Sequence, residues 1–164
     1  WGHATSWRAG GCSRCSRARP PADVLIDANI LLYATDGSSP YHGTARPWLE
    51  SQLNGPRRVG LPWLSLWAFV RISTNPRATL RPLTPGQAWS IVEAWLNAPA
   101  AWVVEPGPGH REILGRLLVE RDIRAGLVTD AVLAALCIEH GLTIVSADSD
   151  FARFTDITWL NPVA

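Results

Sequence analysis

Four aspartates stand where carboxylates could do chemistry together. Asp27 follows the apolar run VLI, Asp148 and Asp150 follow the run TIVSA, and Asp130 lies in the first turn of a predicted helix. Taken singly, Asp130 would stabilise its helix N-terminus, and Asp148 and Asp150 would belong to a solvated turn. Asp27 differs, because a carboxylate between two apolar runs is predicted to lie near the core, where an unpaired charge is costly.

Taken together, the four acids predict a cation site. Carboxylates that converge repel one another, and their pKa values rise unless a cation compensates. Hard oxygen ligands favour Mg²⁺, for which Mn²⁺ can substitute, over softer metals. Such ions activate water and neutralise charge on a phosphate, so the chemistry that this pattern favours is phosphoryl transfer or hydrolysis.

The elements that must bring these acids together alternate along the chain. Helical patterns separate short apolar runs and few hairpin signals occur, which predicts an α/β fold with a mostly parallel central sheet flanked by helices. Ligands of such sheets bind beyond the carboxyl ends of the strands. The predicted strands are 24–27, 58–62, 101–106, 142–147 and 157–160, and the main predicted helices are 42–53, 63–74, 83–98, 109–122 and 127–141.

Details of three helices can also be predicted. Thr84 before Pro85 is typical of a helix N-cap, and Gly141 is typical of a helix C-terminus. Pro47 is expected in the first turn of helix 42–53, where its missing N–H is harmless.

Length and composition limit the number of domains, the location of the protein and the charge of its surface. The 164 residues suit one domain, and no apolar stretch is long enough for a membrane span, so we expect no membrane partner. Three cysteines without a disulfide framework fit a reducing compartment, so we expect a cytoplasmic location. Residues 1–23, which contain a single Cys12/Cys15 pair, are predicted to be an unstructured N-terminal extension, and 24–164 the folded domain. The folded part carries eleven arginines against thirteen acids, so it presents no broad basic surface.

Several stretches resemble the PIN-domain family, and specifically the VapC ribonuclease toxins of bacterial toxin–antitoxin pairs. They are LIDANILLYA (25–34), AFVRISTNPR (68–77), LVTDAVLAALCIEHG (127–141) and IVSADSDFARF (144–154), followed by WLNP (159–162). The resemblance implies a PIN-like three-layer α/β/α domain over 24–164 and Mg²⁺-dependent hydrolysis of RNA phosphodiester bonds. It also implies a VapB-type antitoxin partner and a homodimer.

The resemblance also implies roles for particular residues. The metal would be held by Asp27, Asp130 and Asp148, with Asp150 close by as a fourth catalytic acid. Asn29, Thr129 and Ser146 would hydrogen-bond and orient these carboxylates. Arg71, Arg77 and Arg81, which flank the segment STNPR, are candidates for binding RNA phosphates, although ordinary surface arginines explain them equally.

One departure from the family pattern concerns the helix that contains AFVR. Many relatives have a glutamate where this chain has Ala68. Glu50, Glu93 and Glu112 are possible substitutes that the sequence cannot place. The alternative function is therefore a weak or inactive PIN-fold protein that acts by binding RNA or an antitoxin.

A phosphatase or a phospho-accepting receiver domain also places acids at strand ends. Both normally need a lysine near the phosphate, and this chain has no lysine. The motif after the first strand is DAN rather than DxD. Both features disfavour these two classes.

Overall fold

The computed structural model describes residues 23–164, which contain one five-stranded parallel sheet and six α-helices. The strands are β1 (Val24–Ile26), β2 (Val59–Gly60), β3 (Ala101–Trp102), β4 (Thr143–Val145) and β5 (Thr158–Leu160). The helices are α1 (Ala28–Thr35), α2 (His42–Leu53), α3 (Trp63–Ser73), α4 (Pro85–Leu96), α5 (His110–Glu120) and α6 (Leu127–His140), with a 3₁₀ helix at Ser149–Arg153.

Helices cover both faces of the sheet. Alternate residues of β1 point to opposite faces, so Val24 and Ile26 join one core and Leu25 joins the other. The first core packs α1 to α4 against the sheet, and the second packs α5, α6 and the 3₁₀ helix. All three β1 residues are fully buried, which is why this strand is a continuous apolar run. The predicted three-layer α/β/α fold is confirmed.

The strand order places the acidic motifs side by side. The order is β3-β2-β1-β4-β5, with β1 in the centre, and β1 and β4 are paired through Ile26 and Val145. The residues that follow these two strands, Asp27 and Ser146, therefore emerge together at one edge of the sheet. Two segments 119 residues apart in sequence meet there.

Helix ends follow the predicted signals with one correction. Thr84 caps α4 in a capping box with Gln87, and Gly141 ends α6 in the left-handed conformation at φ 67°. The expectation that Pro47 lies in a first turn is wrong, because α2 begins at His42 and Pro47 is inside it. Pro47 and Gly43 are exposed, so solvent can satisfy the Gly43 carbonyl that lacks the usual partner.

The predicted N-terminal extension and the Cys12/Cys15 pair lie outside the described residues, apart from Asp23. The Asp23 carbonyl accepts a hydrogen bond from Thr143 N, and its carboxylate accepts one from Arg58 N. No helix among residues 23–164 is long and apolar enough to cross a membrane.

Candidate metal centre

Asp27 is fixed in place by hydrogen bonds at the start of α1. Its Oδ1 accepts a hydrogen bond of 2.6 Å from Ala28 N, so the side chain caps the helix. Its Oδ2 accepts hydrogen bonds of 2.7 Å from Asn29 Nδ2 and of 2.7 Å from Ser146 Oγ. Three donors therefore hold the carboxylate in one orientation at the tip of β1.

Ser146 links the tips of β1 and β4. It is fully buried, and its hydroxyl donates to Asp27 while it accepts from Asn29 Nδ2 (2.8 Å) and from Asp148 N (3.0 Å). Asn29 Oδ1 accepts a hydrogen bond of 3.2 Å from Ala147 N, and Ser146 O accepts one of 2.8 Å from Trp159 Nε1. This network is satisfied on every side, so it fixes where the chain leaves β4 and where Asp148 begins.

Three other carboxylates come together next to this network. One oxygen each from Asp130, Asp148 and Asp150 can be chosen so that all three lie within 4.8 Å of one another. Asp148 and Asp150 approach because Asp148 Oδ1 accepts a hydrogen bond of 2.9 Å from Asp150 N and so caps the 3₁₀ helix. Asp130 arrives from the first turn of α6. Asp27 is not one of these three.

Charge repulsion connects the four acids. Burial, and then the charges of Asp148, Asp27 and Asp150, raise the pKa of Asp130 to about 6. Burial also raises the pKa of Asp27, to which the charge of Asp148 adds, although hydrogen bonds from Ser146 and Ala28 oppose the rise. A cation among these groups would favour their ionised forms.

The donor set fits a hard divalent cation. Its ligand atoms are all carboxylate oxygens, as Mg²⁺ and Mn²⁺ prefer. Ligands on opposite sides of Mg²⁺ are about 4.2 Å apart, since each Mg–O distance is about 2.1 Å. The spacing within 4.8 Å therefore needs only small side-chain adjustments. Asp130, Asp148 and Asp150 could hold the ion, and Asp27 adds negative charge beside them.

The other predicted site residues lie around this centre or on the surface. Thr129 is exposed, and no hydrogen bond within residues 23–164 joins its side chain to the acids. Arg71, Arg77 and Arg81 are exposed at the end of α3 and in the loop after it. None of the three takes part in an ion pair in the described part of the chain, so their guanidinium groups are available to other partners.

Among residues 23–164, the cluster of close ligands contains no glutamate. Ala68 is half-buried on α3, and Glu50 forms an exposed ion pair of 2.9 Å with Arg46. Glu93 and Glu112 are exposed on α4 and α5. Among the described residues, the group of close ligands consists of aspartates alone.

Tyr33 is a residue near the site that sequence reasoning did not select. Burial raises its pKa, and so do the charges of Tyr41, Asp148 and Asp27, which shows that its hydroxyl lies within electrostatic reach of the acids. The sequence signal was a polar aromatic residue inside the motif LIDANILLYA.

The family model for the PIN domain matches residues 24–157. The chain belongs to the PIN-domain family. Among curated proteins, Ribonuclease VapC37 of Mycobacterium tuberculosis is 45% identical over 140 residues, which cover 85% of this chain and 97% of that protein. Ribonuclease VapC33 of the same species is 38% identical over 140 residues, 85% of this chain and 98% of its own. Within the PIN-domain family the chain therefore groups with the VapC ribonucleases.

Solved structures share this PIN-domain fold at low sequence identity. VapBC2 of Rickettsia felis, bound to a DNA fragment from the promoter, gives a TM-score of 0.62 at 16% identity. The match covers 84% of this chain and 97% of that one. VapC20 of M. tuberculosis, described as a sarcin–ricin loop cleaving toxin, also gives 0.62 at 17% identity over 81% of this chain and 95% of its own.

Proposed function

We propose that this chain is a Mg²⁺-dependent endoribonuclease and the toxin of a toxin–antitoxin pair. The observation that carries the proposal is the group of carboxylate oxygens from Asp130, Asp148 and Asp150, which lies beside the anchored Asp27 at the carboxyl edge of a PIN-domain sheet. The names of the curated relatives give the substrate class, RNA.

Each residue has a part in this proposal. Asp130, Asp148 and Asp150 hold the ion, as the spacing of their oxygens supports, and Asp27 contributes charge or a further ligand atom. Asn29 and Ser146 keep Asp27 oriented through their 2.7 Å hydrogen bonds. When bound, Mg²⁺ lowers the pKa of an attacking water and neutralises charge on the scissile phosphate. Among residues 23–164, no hydrogen bond joins the remaining predicted contributor, Thr129, to the acids.

RNA would approach over exposed arginines. Arg71 and Arg77 lie at the end of α3 and just after it, and both have guanidinium groups that can bind backbone phosphates. A domain of slightly negative charge can bind a polyanion in this way because the metal bridges two negative partners. The cleavage would take place in the cytoplasm, where RNA is plentiful.

The partners proposed are a VapB-type antitoxin and a second copy of the chain. The antitoxin is supported by the structural neighbours, several of which are VapBC complexes. Self-association is supported by Trp67, whose ring stacks on Trp63 but remains 63% exposed on α3. Sedimentation of the wild type and of Trp67→Ala tests this, and a monomeric wild type would exclude the homodimer.

The proposed activity is tested by cleavage of labelled single-stranded RNA with and without Mg²⁺. We expect cleavage by the wild type only with Mg²⁺, and at least a 100-fold loss in Asp148→Asn. Glu120→Gln is the matched control, since it neutralises an exposed carboxylate on α5 that is not one of the close ligands. Equal cleavage by the wild type and Asp148→Asn would show that the acids are not the active site.

A catalytically inactive binding protein is the second candidate function. In the part of the chain that the structure describes, the absence of a glutamate from the group of close ligands favours it. This candidate predicts that the wild type binds RNA or antitoxin but leaves RNA intact at every Mg²⁺ or Mn²⁺ concentration.

A further inference from the structure

A cavity of about 550 Å³ lies between the end of α1, the loop that follows α1, the end of α3 and the loop that follows α3. Its volume is within the range of small-ligand pockets, about 300–1,000 Å³. Tyr33 connects the two sites, because it lines the cavity and the charges of Asp148 and Asp27 help to raise its pKa. A group bound in the cavity would therefore contact the same tyrosine whose pKa depends on the charge of the metal centre.

The cavity has an apolar interior. Leu32, Ile72 and Leu83 supply aliphatic surface, and the fully buried Phe69 lies beneath it. Tyr33 supplies the accessible aromatic ring of the lining, which packs on Tyr41 with ring centroids 4.9 Å apart. Unpaired RNA bases are bound by stacking on such rings, so a flat heterocycle suits this interior better than a sugar or a phosphate.

Polar groups of opposite charge occur together in the lining. Asp36 Oδ1 accepts hydrogen bonds from Ser38 N (2.9 Å) and Ser38 Oγ (2.6 Å), whereas Oδ2 accepts none from residues 23–164. The hydrogen bonds from Ser38 lower the pKa of Asp36, and the charges of His42 and Arg81 lower it further. The two side chains form no ion pair in the described part of the chain, so an acceptor and a donor both remain open to a ligand.

Guanine matches this pair of groups. Its Watson–Crick edge offers two adjacent donors, N1–H and the 2-amino group, beside the acceptor O6. The donors suit the carboxylate of Asp36, and O6 suits the guanidinium of Arg81. Adenine presents an amino group where Arg81 would need an acceptor, and uracil has one donor between two acceptors.

We propose that this cavity, defined by Tyr33, Asp36, Ile72 and Arg81, binds an unpaired guanine of the RNA substrate and so determines where the RNA is cut. This assignment rests on the proposed ribonuclease function. It gives Arg81 a different role from Arg71 and Arg77, which contact the RNA backbone.

The proposal is tested first by binding. The full chain is titrated by NMR with the 5′-monophosphates of guanosine, inosine, adenosine and uridine. We expect guanosine monophosphate to bind about 10-fold or more tightly than the adenosine and uridine nucleotides. Inosine, which lacks the 2-amino group, should bind more weakly than guanosine. Equal affinity for all four nucleotides would overturn the proposal.

A variant then tests the role of Asp36. Asp36→Asn keeps an acceptor for Ser38 but replaces one acceptor oxygen with a donor, so it should fold and lose about 10-fold in guanosine monophosphate affinity. Glu120→Gln, an exposed carboxylate on α5, should bind as the wild type does. Unchanged guanosine affinity in a folded Asp36→Asn would also overturn the proposal.

Cleavage of a randomised single-stranded RNA pool connects the cavity to the reaction. Sequencing of the products should show guanine enriched about 10-fold at one position near the cut for the wild type, and no enrichment for Asp36→Asn. Cleavage without base preference would refute the role in site choice and leave the nuclease function intact. A wild type that cuts no RNA would refute the nuclease function, whereas the nucleotide titration would still decide whether guanine binds.

Discussion

Asp130 is expected to destabilise the metal-free protein, so neutralising it should raise stability. Its pKa is raised from the ordinary value of 3.8 to about 6, first by burial and then by the charges of Asp148, Asp27 and Asp150. That rise corresponds to about 3 kcal/mol of disfavoured ionisation. Because the side chain is only half-buried, solvent screening reduces the cost to about 1–2 kcal/mol.

The sign of the pH dependence follows from proton linkage. Between about pH 4 and pH 6 the folded state holds a proton on Asp130 that the unfolded state has released. The free energy of unfolding therefore falls as the pH rises through this window. Above the window it is lower by the full cost of ionising Asp130 in the folded state. In Asp130→Asn this fall should be absent.

The net gain for Asp130→Asn must allow for the position of Asp130 in the first turn of α6. A negative charge there is favourable by about 0.5 kcal/mol, which the variant loses. We therefore expect the metal-free variant to be about 1 kcal/mol more stable at pH 7.5, or about 3–5 °C higher in Tm. At pH 4 the variant should have no advantage.

The assay is urea unfolding from pH 4 to pH 8 in EDTA, followed by the same series in Mg²⁺. Mg²⁺ should stabilise the wild type and have little effect on the variant, because the variant lacks a charged ligand. Glu120→Gln should stay within about 0.5 kcal/mol of the wild type. A less stable Asp130→Asn at pH 7.5, or an advantage that persists at pH 4, would refute the account of a strained acidic cluster.

Two further predictions concern residues that position the site. Ser146→Ala removes a buried hydroxyl that contacts Asp27, Asn29 and Asp148, so it should cost about 1–3 kcal/mol in urea unfolding and reduce RNA cleavage; wild-type stability would contradict the role of this network. Gly141→Ala places a side chain at φ 67°, where nothing within 4 Å obstructs it, so it should cost about 1 kcal/mol through backbone strain alone and leave the cleavage rate unchanged. A change in cleavage rate without a loss of stability would show that the end of α6 affects the site.

The fold was largely predictable from the sequence because its signals are local. Continuous apolar runs such as VLI and TIV indicate strands covered on both faces, and helical patterns between them leave a parallel sheet as the simplest arrangement. The cap at Thr84 and the left-handed Gly141 were likewise predicted, since each depends on one or two neighbouring residues. Pro47 was placed wrongly because a helix tolerates an internal proline where solvent can reach the carbonyl that loses its partner. That exposure is decided by the tertiary structure and not by local propensity.

The sequence by itself determined that carboxylates follow strand ends, because strand tips and helix first turns are set by local pattern. It could not determine which oxygens approach one another. The structure places Asp150 with Asp130 and Asp148, and gives Asp27 three hydrogen bonds instead, since the pairing of β1 with β4 brings Ser146 against it. The cavity beside Tyr33 also forms only when α1, α3 and the following loop pack together. Distances between segments far apart in sequence depend on packing, and packing exists only in the folded chain.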